Sequence, residues 1–93
     1  MVPSGVIRRR VIARGRVQGV FFRDTARRMA VSRAVSGWAR NRDDGAVEAV
    51  FEGEPAVVET MLQFCRKGPA RAHVAEVEVI DEPPEGLEGF RIG

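Results

Sequence analysis

Residues 43–55, DDGAVEAVFEGEP, decide the fold because they join a turn, a strand and the start of a helix. The pair Asp44-Gly45 is typical of a β-hairpin turn, since glycine accepts the positive φ that such turns need. Apolar and acidic residues then alternate through Glu52, which predicts a strand from residue 46 to residue 52. Pro55 predicts the start of a helix, because proline at the first helical position loses no hydrogen bond. The strand residues expected on one face are Val47, Ala49 and Phe51.

Toward the N-terminus the pattern predicts two further strands and a helix. Residues 6–14 are rich in β-branched side chains and form the first predicted strand. Two glycines between residues 15 and 19 indicate a loop. Helical spacing begins at Phe22, and residues 37–42, which include Trp38, are consistent with a strand that leads into the hairpin. The apolar face of this first helix is expected to hold Phe22, Ala26, Met29 and Ala30.

Toward the C-terminus the second helix carries an apolar stripe and ends at Gly68-Pro69. Residues 73–80 alternate and predict a strand, and residues 90–92 predict a short closing strand. The order β-α-β-β-α-β with a terminal strand predicts an α+β, ferredoxin-like split-βαβ sandwich. We expect an antiparallel sheet of four strands plus a short fifth, with two helices on one face, in a single domain over residues 1–93. The predicted stripe of the second helix is Val57, Val58, Met61, Leu62 and Cys65.

Length and composition exclude several classes of protein. Ninety-three residues are too few for a barrel enzyme or a doubly wound nucleotide domain. One Cys and one His exclude an internal disulfide, a Cys-based zinc cluster and a two-His metal site. No apolar run approaches the ~20 residues of a membrane span, and residues 1–5 show no signal-peptide pattern. We therefore expect a small cytoplasmic protein, and we separately expect it to be a monomer, although length and composition do not determine the oligomeric state.

The charges are distributed unevenly along the chain. Residues 1–42 contain 11 of the 15 basic residues and one acidic residue, whereas residues 43–93 contain 12 of the 13 acidic residues. A basic first half indicates an anionic partner, which could be a nucleic acid, a phosphate ester or the acidic second half of the same chain. Fourteen of the basic residues are Arg, whose fork suits phosphate, although a GC-rich genome would also explain that preference.

The segment from Gly15 to Arg23 is a candidate anion site. A loop bracketed by Gly15 and Gly19 leads from a strand into a helix, so its backbone N–H groups can form a nest for an anion. The helix N-terminus adds unpaired N–H groups, and Arg23 in the first turn could donate two hydrogen bonds to the same anion. Read alone, such a loop is more often a simple turn, and Arg23 a solvated helix residue.

Asn41 is the second candidate. In a split-βαβ sandwich the first and third strands are the central pair and the second lies beside the third. The end of the second strand, where Asn41 lies, could therefore face the first loop. An amide side chain can both accept from and donate to a water molecule. Read alone, Asn41 could equally be a residue that favours the following turn.

Together these segments resemble the acylphosphatase family closely. The family pattern is G-x-V-Q-G-V-x-F-R, then G-W-V-x-N, then D-G-x-V-E. Residues 15–23, 37–41 and 44–48 match it, with Ala39 in place of the usual Val. Gly68-Pro69 and the strands that follow resemble the second half of the family, so the similarity covers nearly the whole chain. One departure is Ala34, where the family usually has Gly at the end of the first helix.

The resemblance implies a metal-free hydrolase of acyl phosphates that needs no cofactor. It implies that Arg23 and the loop bind the phosphoryl group and that Asn41 positions the attacking water. Inorganic phosphate would be product and competitive inhibitor, with no nucleic-acid or membrane partner. The residues assigned to phosphate binding are Gly15, Arg16, Val17, Gln18, Gly19, Val20 and Arg23.

Two alternatives use the same fold without turnover. An RNA-binding module would need aromatic side chains on the central strands, but the first strand has none and Phe51 is expected to face the helices. A salt-dependent gel shift would detect RNA binding. An anion-sensing module would keep the phosphate nest alone, and a phosphate titration beside an activity assay would identify it.

Overall fold

A computed structural model describes residues 5–93. The prediction about a leader peptide concerns mainly residues 1–4, which lie outside the described range. Within residues 5–93 no helix is long and apolar enough to cross a membrane. In chain order the elements are β1 (Ile7–Arg16), α1 (Phe22–Ser32), β2 (Ser36–Asn41), β3 (Val47–Gly53), α2 (Pro55–Lys67), β4 (His73–Glu82) and β5 (Phe90–Ile92).

The strands form one sheet in the order β4-β1-β3-β2-β5, and both helices pack on the same face. This confirms the predicted ferredoxin-like sandwich, including the central β1–β3 pair and the position of β2 beside β3. Each predicted strand is found, with boundaries shifted by up to two residues. The antiparallel pairs β1–β3, β1–β4 and β2–β3 make up the predicted four-stranded part.

The prediction of an antiparallel sheet is wrong for the fifth strand. β5 pairs with β2 in parallel, with Gly37 opposite Phe90 and Ala39 opposite Ile92, so the sheet is mixed. The reason is the path of the chain after β4. Residues 83–89 carry it from one edge of the sheet to the other, so that β5 starts at the same end of the sheet as β2. The parallel direction therefore places the end of β5 beside the ends of β1 and β2.

The core lies between the helices and the sheet, where the predicted apolar faces meet. Val47, Ala49 and Phe51 of β3 are at most 1% exposed. The ring of Phe51 stacks on Phe90 with centroids 5.8 Å apart, which ties β5 into the core. The helix stripes are confirmed, with Met29 and Val57 only partly buried. The fully buried helix residues are Phe22, Ala26 and Ala30 of α1 and Val58, Met61, Leu62 and Cys65 of α2.

On the opposite face of the sheet, arginines of the first half of the chain pair with carboxylates of the second half. Arg8 donates to Glu52 and Glu82 at 2.8 Å in each case, and both Arg8 and Glu52 are buried. Arg10 donates to Glu48 at 2.6 Å and to Glu82 at 2.7 Å. The anionic partner of Arg8 and Arg10 is therefore the acidic second half of the same chain.

Glu52 also holds the segment that leads to β5. Its carboxylate accepts backbone hydrogen bonds from Glu85, Gly86 and Leu87 at 3.0–3.1 Å, besides the one from Arg8. Burial alone would raise the pKa of Glu52, but these hydrogen bonds favour the ionised form and lower the pKa below its usual value. An ionised carboxylate thus fixes the path of residues 85–87 from β4 toward β5.

Ala34 has a left-handed backbone with φ 56°. A Cβ in this conformation is strained, whereas glycine adopts it freely. We therefore expect Ala34→Gly to stabilise the fold by about 0.5–1 kcal/mol, after the greater entropy of glycine in the unfolded chain is subtracted. For a domain of this size the melting temperature would rise by roughly 2–8 °C.

Thermal unfolding of the purified variant measures this effect. Ala56→Gly is the matched control, because Ala56 is an exposed residue in the helix α2 and should lose stability on the same change. An unchanged or lower melting temperature for Ala34→Gly would show that the left-handed backbone is not under strain.

Candidate functional site

A cavity of about 250 Å³ opens at the end of the sheet where β1, β2 and β5 finish, beside the start of α1. β1 and β2 are both antiparallel to β3, and β5 is parallel to β2, so the carboxyl ends of these three strands lie together. The cavity is somewhat smaller than the clefts of about 300–1,000 Å³ that hold drug-sized ligands, so it has room only for a small molecule. Its lining consists of Val17, Gly19, Phe21, Phe22, Arg23, Asp24, Asn41 and Ile92.

The loop between β1 and α1 forms one wall of the cavity. Gly19 has φ 74° and Phe21 has φ 64°, both left-handed, and turns of this kind can direct successive N–H groups to one side as an anion nest. The first N–H that bonds back into the helix is that of Thr25, which donates to the carbonyl of Phe21 at 3.0 Å. The N–H groups of residues 22–24 precede that bond, and such groups at a helix start attract an anion.

The loop is shorter than the sequence indicated. Gly15 and Arg16 lie in β1, opposite Val74 and His73 of β4, and not in the loop. The register shifts between Arg14 and Gly15, and a Cβ on Gly15 would clash with the backbone of β4. Close approach of the two strands therefore explains the first glycine. Of the residues assigned to phosphate binding, Val17, Gly19 and Arg23 line the cavity and Gly15, Arg16, Gln18 and Val20 do not.

The side chain of Gln18 connects the loop to the β2–β3 hairpin. Its amide donates to the backbone carbonyls of Arg42 at 2.8 Å and Ala46 at 3.0 Å. The side chain is thus occupied by the protein, and only the backbone N–H of Gln18 remains for an anion. Because Arg42 follows Asn41 directly, these two hydrogen bonds fix the distance between the loop and Asn41.

Arg23 lies in the first turn of α1, as predicted, and its side chain lines the cavity. Its guanidinium donates one hydrogen bond of 2.8 Å to the backbone oxygen of Gly93. An arginine has five N–H donors, so the others are available to a ligand in the cavity. The residue that directly follows β5 therefore helps to orient Arg23.

Asn41 is the last residue of β2 and lines the same cavity. Its Oδ1 atom is buried and has no hydrogen-bond partner within residues 5–93, the only buried side-chain polar atom of which this is true in that range. Burying an unpaired acceptor costs about 1–3 kcal/mol, so such an atom calls for an explanation. Asn41 lines the cavity, and its amide group can hold a water molecule or a polar group of a ligand there.

Sequence reasoning missed four residues of the cavity, Phe21, Phe22, Asp24 and Ile92. Phe22 is a predicted core residue of α1 that also reaches the cavity, and Asp24 pairs with Arg28 at 3.3 Å. Phe21 was treated as an unassigned position of the loop motif. Ile92 reaches the site only through the parallel direction of β5, for which the local sequence carried no signal.

The other candidate groups lie apart from the cavity lining. Cys65 is a buried core residue of α2, and burial raises the pKa of its thiol to about 12. His73 is the exposed first residue of β4. In the part of the chain that the structure describes, no three His, Cys, Asp or Glu side chains come together as metal ligands.

Comparison with known proteins gives one consistent result. Residues 9–92 match the family model described as Acylphosphatase. The chain is 54% identical to an acylphosphatase of Haloarcula marismortui over 91% of its own length and 93% of that protein. It is 52% identical to an acylphosphatase of a Synechococcus species over 96% of its own length and 95% of that protein. The structure is similar to that of the Bacillus subtilis acylphosphatase, with a TM-score of 0.89, 34% identity and coverage of 94% of this chain and 98% of the other.

Proposed function

The chain belongs to the acylphosphatase family and is an enzyme that hydrolyses acyl phosphates, and on that basis we propose which residues bind the phosphoryl group and which residue positions the water. Arg23 and the backbone N–H groups of the 17–24 segment bind the phosphoryl group. Asn41 positions the water that attacks phosphorus. The products are a carboxylate and inorganic phosphate, and the phosphate would also act as a competitive inhibitor because it presents the same oxygens.

The observation that carries this proposal is the pairing of two free groups in one cavity. Arg23 offers donors for an anion, and Asn41, whose Oδ1 has no partner within residues 5–93, offers an amide that can bind a water molecule. An anion is bound by donors, whereas an acceptor is suited to the O–H of a water molecule. The two side chains therefore fit different reactants, a phosphoryl group and a water molecule.

The chemistry of the substrate explains why so few groups would suffice. An acyl phosphate is a mixed anhydride, and its leaving group is a carboxylate that departs without a general acid. The water oxygen forms a bond to phosphorus while the bond from phosphorus to the acyl oxygen breaks, and the electron pair leaves with the carboxylate. In the loose transition state, charge lies on the equatorial oxygens, where Arg23 and the N–H groups would stabilise it.

The proton of the water needs an acceptor, and an amide such as Asn41 is not a base. We assign that role to the departing carboxylate of the substrate, which takes up the proton as it leaves. Positive charge from Arg23 and the helix N-terminus would take the place of a metal ion at the phosphoryl group. We also propose that the enzyme works as a monomer in the cytoplasm and that residues 1–93 act as a single acylphosphatase domain.

The RNA-binding alternative loses part of its support. Arg8, Arg10 and Arg40 are paired with carboxylates of the same chain. Phe51, the aromatic residue of the central strands, is fully buried against Phe90. These groups are therefore occupied within the fold.

The proposal predicts that hydrolysis of an aryl acyl phosphate, such as benzoyl phosphate, survives a metal chelator and a thiol-blocking reagent. The reason is that positive charge at the phosphoryl group comes from Arg23 and backbone donors, and that the Cys65 thiol is buried and protonated at neutral pH. Release of inorganic phosphate by the purified enzyme, with and without each reagent, is the measurement. Loss of activity with the chelator, followed by recovery with one added metal, would refute the metal-free mechanism.

A further inference from the structure

Two of the few large apolar side chains exposed on this protein lie at the cavity. Within residues 5–93 the exposed large hydrophobic residues are Phe21, at 67%, Val31, at 62%, and Ile92, at 40%. Phe21 and Ile92 both line the cavity that holds Arg23, whereas Val31 lies further along α1. Exposed apolar side chains gathered at a cavity are more informative than single ones elsewhere on a surface.

Phe21 also has an unusual backbone conformation. Phe21 has φ 64° and ψ 25°, a left-handed conformation that is unusual for a bulky residue and that glycine or asparagine would adopt more easily. The side chain gains little from the core, because two thirds of it is exposed. Strained residues of this kind gather at ligand sites. The left-handed backbone belongs to the anion nest described above, and it also keeps the Phe21 side chain at the cavity, where the core does not cover it.

The other residues of the cavity already have a proposed role, an ion pair or a buried position. Arg23 and the N–H groups serve the phosphoryl group, and Asn41 serves the water. Asp24 is paired with Arg28, and its negative charge would disfavour an anionic acyl group. Val17 and Phe22 are at most 2% exposed and present little surface. What remains for the acyl group is the apolar surface of Phe21 and Ile92.

We propose that Phe21 and Ile92 form the subsite for the acyl group, and that the enzyme favours acyl phosphates whose acyl group is uncharged and apolar, aromatic above all. The inference rests on the proposed function of the cavity. It adds the recognition of the acyl group, which the phosphate site does not contact. An aromatic acyl group would pack against the apolar surface that Phe21 and Ile92 contribute to the cavity lining. An acetyl group is too small to gain much from either contact.

The test compares benzoyl phosphate with acetyl phosphate in the parent enzyme and in Phe21→Ala, Phe21→Leu and Ile92→Ala. Comparing each variant with the parent cancels the difference in reactivity between the two anhydrides. We expect Phe21→Ala to lower the ratio of kcat/KM for benzoyl over acetyl phosphate by about 5- to 10-fold. The change should appear mainly in KM for benzoyl phosphate, because the acyl contact is the same in the ground and transition states.

The other variants distinguish binding of the acyl group by Phe21 and Ile92 from a structural role of these residues. Ile92→Ala should lower the ratio in the same direction, and Phe21→Leu should give an intermediate value. Val31→Ala is the control, since it removes an exposed apolar side chain of α1 outside the cavity and should leave the ratio unchanged. Inhibition by inorganic phosphate should be the same in Ile92→Ala and Val31→Ala as in the parent, because phosphate has no acyl group.

The outcomes distinguish the two proposals. If the parent hydrolyses neither substrate, the proposed function fails and the acyl subsite fails with it. If both substrates are hydrolysed but the ratio in Phe21→Ala and Ile92→Ala stays within twofold of the parent, the acyl subsite is refuted and the phosphate site stands. An equal loss for both substrates would also refute it, because Phe21 would then act on the phosphate loop.

Discussion

Replacing Arg23 by alanine is expected to lower kcat/KM for an acyl phosphate by at least about 10³ and to abolish inhibition by inorganic phosphate. An arginine that stabilises the charge of a transferring phosphoryl group contributes about 10³–10⁵ in rate. In this cavity Arg23 is the cationic side chain of the lining, and its one internal hydrogen bond, to the backbone of Gly93, leaves most of its donors free. Steady-state kinetics with a phosphate titration give both quantities.

The fold should survive this change, because the side chain of Arg23 is partly exposed and forms no salt bridge in residues 5–93. Arg27→Ala is the matched control, since Arg27 is an exposed arginine of the same helix that does not line the cavity. Arg23→Lys should also fail, because a single ammonium group cannot donate the paired hydrogen bonds of a guanidinium. Phosphate that inhibits Arg23→Ala as strongly as the parent would show that the anion binds elsewhere.

Replacing Asn41 by alanine is expected to lower kcat by about 10²–10³ while inhibition by inorganic phosphate stays nearly unchanged. The loss of one oriented hydrogen bond in a preorganised site costs about 3–4 kcal/mol in the transition state. Binding of phosphate depends on Arg23 and the loop, which the substitution leaves in place. Because the Oδ1 atom is buried and unpaired, its removal should not lower the melting temperature.

Asn41→Asp tests which group accepts the proton of the attacking water. The aspartate keeps the shape of the side chain and adds a possible base, but it places a negative charge near the phosphoryl group. We expect the charge to dominate, so that the Asp variant is no more active than the Ala variant. Substantial activity in Asn41→Asp would mean that a protein base is useful here and that the leaving carboxylate is not the proton acceptor.

Local patterns were sufficient to predict the elements, the core and the central motif residues. The alternation around Phe51, the helical spacing from Phe22 and the proline at residue 55 each depend on neighbours in the chain. Arg23 and Asn41 could be placed near each other because the order of the strands in a split-βαβ sandwich is fixed. The structure brings both to one cavity, in agreement with that expectation.

The parts that sequence reasoning missed depend on contacts between distant segments. The direction of β5 follows from the path of residues 83–89, which the carboxylate of Glu52 holds by hydrogen bonds that no local pattern records. That direction brings Ile92 into the cavity and Gly93 to Arg23. Likewise, Gly15 was assigned to the phosphate loop, although its close contact with β4 requires a glycine for a different reason.

The central claim is that water attacks phosphorus while the acyl oxygen leaves with the carboxylate. Hydrolysis of benzoyl phosphate in water enriched in ¹⁸O, with mass analysis of both products, tests this most directly. The account predicts that the enzymatic reaction places one ¹⁸O atom in the inorganic phosphate and none in the benzoate. Label in the benzoate would show attack on the acyl carbon, and it would contradict the roles given to Arg23 and Asn41.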